Sequence, residues 1–243
     1  MRTVWIGWPL LLLCVGCSSH GHPHEHDHAH DHPAEAGHHG HGDGHAQGGD
    51  DATVTHSFAD AELWAARFED PERDVWQRPD EVLAALELPA DGKLVDIGSA
   101  TGYFPVRFAK AMPEGVVYGV DLEPTLVNYL NLRARREGLP NLVSLVCTAD
   151  DPCVPEPVDV VFVCDTYHHI DGRKAYFSRL IPQLREGGRL VIVDFKPGEL
   201  PVGPPPGHKL SAEQVTAELA EAGFVPAGEH DLPYQYLLVF RPR

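Results

Sequence analysis

The chain has 243 residues, of which 43% are hydrophobic and 23% are charged, so it is long and apolar enough to bury a sizeable core in one or two domains. Acidic residues number 36 against 19 basic ones, and the net charge is -17. This balance argues against nucleic acid as the primary partner, because binding to a phosphate backbone needs a basic face.

The first seventeen residues resemble an export signal. Arg2 supplies a positive charge, and residues 3–16 are apolar but too short to span a bilayer comfortably. Gly16-Cys17-Ser18-Ser19 resembles a lipoprotein cleavage site, at which Cys17 would carry a lipid anchor, although Cys14 stands where such sites usually have Leu. We therefore expect an exported protein anchored in the membrane and facing the periplasm. An ordinary signal peptide or an uncleaved anchor is the alternative, and a non-functional leader would leave the protein cytoplasmic.

Residues 18–54 form a low-complexity, histidine-rich tract. It has no apolar face that could offset the entropy cost of ordering, so we expect it to be disordered. Neutral imidazoles bind zinc, nickel, copper and cobalt, which makes the tract a candidate metal-binding segment, and a solvated spacer is the alternative. The eleven candidate ligands are His20, His22, His24, His26, His28, His30, His32, His38, His39, His41 and His45.

From residue 55 to residue 243 the pattern alternates between helices and strands, which predicts one folded domain. Helices are predicted at residues 58–68, 79–88, 102–112, 124–137, 171–184 and 211–222, the last with a capping box from Ser211 and Gln214. Strands are predicted at residues 93–97, 116–121, 142–147, 158–164, 189–195, 225–229 and 236–240. The strands are apolar runs with little alternation, as in a sheet covered on both faces. The chain is therefore expected to be an α/β protein with a doubly wound, mostly parallel sheet.

A glycine-rich turn follows the first predicted strand. It contains Asp96, Gly98, Ala100 and Gly102. Glycine permits positive φ and lets the backbone approach a ligand closely, and the helix that follows offers free N–H groups. Enzymes that bind NAD use a related turn, but Gly102 follows Gly98 by four residues rather than the five of their motif.

Acidic residues close the next three strands. Asp121 ends the second strand, nineteen residues after Gly102, where a carboxylate can accept hydrogen bonds from both hydroxyls of a ribose. Asp150 and Asp151 follow the third strand, and Asp165 follows the fourth. Ligands of doubly wound sheets lie over the carboxyl ends of the strands, so we expect these side chains to share one site.

With these residues the chain resembles the class I, Rossmann-like, S-adenosylmethionine-dependent methyltransferases, over residues 75–241. Three stretches, residues 69–79, 165–170 and 232–240, are similar to those of an uncharacterised bacterial group of these enzymes. The resemblance implies the strand order 3-2-1-4-5-7-6 with strand 7 antiparallel. It also implies S-adenosyl-L-methionine as cofactor. The cofactor-binding residues would then be Asp96, Gly98, Ala100, Gly102, Tyr103, Asp121, Leu122, Asp150, Asp151 and Asp165. Ala100 departs from the family pattern, which has glycine there.

His168 and His169 are the leading candidates for a catalytic base, because they follow the fourth strand. The protein orients the acceptor for an in-line displacement, and a base is needed only when that acceptor is still protonated. Tyr167 and His208 are weaker candidates. Alternatively, one of the two histidines packs against or caps the following helix. We expect the helices before Pro89 and the loop at residues 196–208 to close over the substrate.

Cys147, Cys153 and Cys164 are expected to be mainly core thiols, and the alternative is a thiolate site for a soft metalloid such as arsenic. The family resemblance predicts a methyltransferase, and we expect it to act on a small molecule. The alternative function is an envelope metal-binding protein in which the α/β domain is a docking or cofactor-binding module. The same sequence features are equally compatible with a protein or a lipid as the methyl acceptor.

Overall fold

The computed structural model describes residues 61–243. The predicted leader with Cys17 and the histidine-rich tract lie outside the described residues, so export, lipid attachment and metal binding by the tract stay predictions. Within residues 61–243, no helix is both long and apolar enough to cross a membrane.

Seven α-helices and seven β-strands make up the described part of the chain. The helices are α1 (Ala61–Phe68), α2 (Glu72–Gln77), α3 (Pro79–Leu86), α4 (Tyr103–Ala111), α5 (Pro124–Arg136), α6 (Arg173–Ser178) and α7 (Ala212–Ala222). The strands are β1 (Lys93–Ile97), β2 (Val116–Asp121), β3 (Leu142–Val146), β4 (Val158–Cys164), β5 (Leu184–Phe195), β6 (Phe224–Asp231) and β7 (Gln235–Pro242). Short 3-10 helices lie at Tyr167–His169, Ile181–Gln183 and Pro206–His208.

All seven strands form one sheet in the order β3-β2-β1-β4-β5-β7-β6. The first five strands run parallel, and β7 is antiparallel to both β5 and β6. The predicted fold class and strand order are therefore confirmed.

Two hydrophobic cores cover the two faces of the sheet. Side chains of α3, α4 and α5 pack in one core, with Leu94 of β1, whereas α6 and α7 pack in the other, with Val95 and Ile97. The change of side from Leu94 to Val95 is the two-residue period of a strand. The connections after β1 and β4 therefore lie on opposite faces, which opens a crevice between the carboxyl ends of these neighbouring strands.

Apart from shifts of one or two residues at element ends, three features differ from the sequence prediction. Helix α2 was not predicted, because its six residues carry no apolar stripe and its place depends on contacts with distant segments. The helix predicted at residues 171–184 is shorter, since a 3-10 turn containing Pro182 separates α6 from β5. Strand β5 begins at Leu184 rather than residue 189 and passes through Gly187, whose φ is 75°. The capping box of Ser211 and Gln214 is confirmed.

Candidate active site

The glycine-rich turn lies at the carboxyl end of β1 and is packed tightly against its neighbours. Gly98 and Gly102 have φ values of 78° and 98°. A β-carbon on Gly98 would lie 2.2 Å from Oγ1 of Thr166, and one on Gly102 would lie 2.3 Å from Cδ1 of Leu130. Ala100 also has a positive φ, 46°, at a cost of about 1–2 kcal/mol for a residue with a β-carbon. The backbone of this turn is therefore packed tightly against neighbouring side chains.

Replacing Gly98 by Ala should lower the free energy of unfolding by about 2–4 kcal/mol, from left-handed strain together with overpacking. Rotation of Thr166 cannot relieve the contact, because its Cβ would also lie within 2.9 Å of the new methyl group. The matched control is Gly138→Ala, where φ is 67° and nothing lies within 4 Å, so that strain of about 1–2 kcal/mol acts alone. Urea unfolding of both variants measures the difference, and equal losses would contradict the close packing at Gly98.

Asp121 accepts hydrogen bonds from two backbone N–H groups, one of which belongs to this turn. Its Oδ2 accepts from the N–H of Ala100 at 2.9 Å, and its Oδ1 accepts from the N–H of Glu123 at 3.0 Å. Burial raises the pKa of Asp121, and the backbone hydrogen bonds lower it in part. The next side chain, Leu122, is 57% exposed, so an apolar surface is available beside this carboxylate at the end of β2.

Asp150 and Asp151 occupy an exposed turn after β3, next to the end of β2. Thr148 donates through its hydroxyl to Asp150 Oδ1 at 2.9 Å, and Cys153 donates its N–H to Asp151 Oδ1 at 2.8 Å. The N–H of Cys147 donates to the backbone oxygen of Asp121 at 2.9 Å, which joins the two strand ends. The structure therefore brings this turn to the same end of the sheet as Asp121, where the parallel strands have their carboxyl ends.

Asp96 and Asp165 lie on either side of the crevice, at the ends of β1 and β4, and Arg73 of α2 influences both. Burial raises the pKa of Asp96 well above its ordinary value; Asp121 raises it further and Arg73 lowers it. Burial also raises the pKa of Asp165, to about 6, although the charge of Arg73, 3.4 Å away, opposes the shift. Tyr103 borders the same cleft, with its ring beside the guanidinium groups of Arg73 and Arg107.

His168 forms a buried pair with Asp194, which the sequence analysis did not single out. The imidazole Nδ1 lies 2.9 Å from both carboxylate oxygens of Asp194, and the two side chains are only 4% and 1% exposed. Burial alone would lower the pKa of His168, but the hydrogen bond and charge of Asp194 outweigh it and raise the pKa above its ordinary value. The signal for Asp194 was present, since it is an acid that directly follows the apolar run of residues 190–193 in β5.

The other histidines and Tyr167 are placed differently. His169 is exposed, and its ring lies 4.1 Å from that of His168. Tyr167 is fully buried, and its hydroxyl donates to Glu218 of α7 at 2.8 Å. It therefore joins the first 3-10 helix to α7 instead of facing the crevice. His208 is exposed in the last 3-10 helix.

The three cysteines among the described residues differ in burial. Cys147 and Cys164 are buried, as expected for core thiols, whereas Cys153 is exposed. Burial raises the pKa of Cys147 to about 12 and that of Cys164 well above its ordinary value, which keeps both thiols protonated. Across residues 61–243, no group of three or more His, Cys, Asp or Glu side chains is arranged to hold a metal ion.

The family model and the curated proteins that resemble this chain are described as methyltransferases. A family model described as a methyltransferase domain matches residues 89–231. The 27-O-demethylrifamycin SV methyltransferase of Amycolatopsis mediterranei is 30% identical over 172 residues, which are 63% of this chain and 61% of that protein. A trans-aconitate 2-methyltransferase of Rhodopseudomonas palustris is 29% identical, over 46% of this chain and 42% of that protein. The chain thus spans less than two thirds of the length of either relative.

Solved structures share the fold. A SAM dependent methyltransferase from Aquifex aeolicus superposes with a TM-score of 0.68 at 24% identity, covering 74% of this chain and 97% of that one. The magnesium protoporphyrin IX methyltransferase of Synechocystis, with bound SAH, superposes with a TM-score of 0.60 at 17% identity, covering 76% and 96% of the two chains. At these identities the likeness concerns the fold.

Proposed function

Because the chain belongs to the methyltransferase domain family, we propose that it is an S-adenosylmethionine-dependent methyltransferase with a small-molecule acceptor. The observation that carries the proposal is the tight backbone turn at Gly98–Gly102, held by Asp121 at the crevice between β1 and β4. Two of the relatives are named for small-molecule acceptors, and the net charge of -17 disfavours nucleic acid.

The residues present fit this cofactor. Gly98 and Gly102 have positive φ and pack against Thr166 and Leu130, which gives a tight turn whose backbone a ligand can approach closely. Asp121 would accept hydrogen bonds from the ribose hydroxyls, Leu122 would cover an apolar ring face, and the turn with Asp150 and Asp151 would border the adenine. When bound, the cofactor supplies an electrophilic methyl group, and the protein's task is to orient the acceptor and exclude water.

His168 and Asp194 are suited to take a proton from the acceptor. Asp194 accepts the Nδ1 proton of His168, which leaves Nε2 as the proton-accepting atom. Nε2 has no hydrogen-bond partner among the described residues. The carboxylate of Asp194 orients the ring and stabilises the imidazolium that forms. This arrangement supports an acceptor whose nucleophile carries a proton, such as a hydroxyl group.

Calorimetric titration of the full chain with S-adenosylmethionine and S-adenosylhomocysteine tests the proposal. We expect both to bind with micromolar affinity. A set of small hydroxyl- and carboxyl-bearing compounds, trans-aconitate included, should then be assayed for transfer of a labelled methyl group. A folded sample that binds neither cofactor form would overturn the proposal.

A further inference from the structure

A closed ring of hydrogen bonds joins α2, the end of β4 and the start of β7. Arg73 donates from Nε and Nη2 to Oε1 of Gln77, each at 3.2 Å. Gln77 donates from Nε2 to Oε1 of Gln235, which donates from its own Nε2 to Oδ1 of Asp165. Arg73 Nη2 closes the ring on Asp165 Oδ2 at 3.4 Å. Both glutamine residues are fully buried, so these bonds replace contacts with water.

Only one orientation of the two amides satisfies this ring. A guanidinium group has donors alone, so Gln77 must turn its oxygen toward Arg73. Its nitrogen then faces Gln235, which must accept with its oxygen and present its nitrogen to Asp165. Every bond therefore runs in the same direction, from the cation to the carboxylate, and aligned bonds of this kind polarise and strengthen one another. The ring favours the ionised, accepting form of Asp165.

Asp165 shows a second sign of being held in place. Its φ is 54°, in the left-handed region that a residue with a β-carbon rarely adopts. Such a conformation persists where its surroundings enforce it, and it occurs preferentially at functional sites. The ring supplies that constraint, because Arg73 and Gln235 together hold both oxygens of the carboxylate.

Asp165 is also the carboxylate best suited to meet a cation in this crevice. Asp121 lies at the end of β2, where the proposed function gives it the ribose hydroxyls. Asp96 is only 3% exposed, and burial raises its pKa well above its ordinary value. Asp165 keeps the support of Arg73, and its pKa of about 6 leaves it ionised at neutral pH.

We propose that Arg73, Gln77 and Gln235 act as positioning residues that aim the carboxylate of Asp165 at the ammonium group of the cofactor. The inference rests on the proposed function, since it presupposes that S-adenosylmethionine binds in this crevice. The glutamines act through Asp165 and do not touch the cofactor.

The ring predicts how the affinity for S-adenosylmethionine depends on pH. The charged and titratable groups that face Asp165 are Arg73 of α2, Cys164 of β4, His168 of the first 3-10 helix, Asp194 of β5 and Tyr236 of β7. An ammonium group is bound by the ionised carboxylate. Affinity for S-adenosylmethionine should therefore be constant well above the pKa of about 6 and fall by up to about tenfold per pH unit below it.

The test is the Gln235→Glu variant of the full chain, titrated with S-adenosylmethionine between pH 5 and pH 9. A carboxylate in place of the amide donor adds a like charge beside Asp165, so the pH at which affinity begins to fall should rise by about one unit or more. Binding of 5′-methylthioadenosine, which has no ammonium group, should be unaffected by pH or by the variant. Gln77→Glu, which draws the charge of Arg73 away from Asp165, should give the same shift and serves where Gln235→Glu does not fold.

The control is Gln183→Glu, the same change near the opposite end of the sheet, and it should keep the wild-type pH profile. Loss of affinity for both ligands equally at every pH, with no shift of the profile, would show a merely structural ring and overturn the inference. A wild-type chain that binds no S-adenosylmethionine at any pH would instead overturn the proposed function.

Discussion

Replacing Asp121 by Ala should lower the affinity for S-adenosylmethionine by about tenfold or more. Each hydrogen bond to a charged carboxylate contributes on the order of 1.5–3 kcal/mol, and about 1.4 kcal/mol corresponds to a factor of ten in affinity. Loss of the proposed ribose contacts is only part of the expected effect. The variant also removes the acceptor for the N–H of Ala100, whose φ of 46° needs support from its surroundings.

Calorimetry measures this loss, with Asp91→Ala as the matched control. Asp91 is exposed just before β1 begins, at the amino end of the parallel strands and far from the proposed site. Its replacement should therefore leave cofactor affinity unchanged. Circular dichroism establishes that both variants fold. Unchanged affinity in a folded Asp121→Ala protein would show that this carboxylate does not hold the ribose.

Replacing His168 by Ala should lower the rate of methyl transfer by about 10²–10⁴-fold, the usual contribution of a positioned base, and should change cofactor affinity little. The rate is measured with the acceptor found among the small molecules assayed for transfer. Asp194→Asn should also slow transfer, because the ring loses its orienting carboxylate. Only the neutral form of His168 accepts a proton, so activity should rise with pH through the pKa of His168. Loss of Asp194 lowers that pKa, and the rise should move to lower pH.

Two further histidine variants sharpen this assignment. His230→Ala changes an exposed imidazole on β6, which lies 3.8 Å from Glu81, and should leave the rate unaltered. His169→Ala distinguishes the two neighbouring candidates. A loss in His169→Ala that His168→Ala does not share would assign the base to the exposed ring.

The residues of the glycine-rich turn and of the strand ends were accessible from the sequence because their signals are local. Gly98 and Gly102 indicate positive φ directly, and Asp121 ends a short apolar run that is typical of a strand covered on both faces. The capping box of Ser211 and Gln214 spans three residues and was predicted for the same reason. The roles of these residues toward a cofactor stay predictions.

The amino-acid sequence by itself determined the α/β class, the positions of most strands and, through its family resemblance, the strand order, because apolar runs and turn residues act over a few positions. Only the tertiary structure decided which side chains meet across the crevice. His168 finds Asp194 at a separation of 26 residues, and Gln77 finds Gln235 at a separation of 158. No short-range pattern encodes such pairs. Helix α2 is held by the same long-range polar contacts, which form only when the sheet brings the ends of β4, β5 and β7 together.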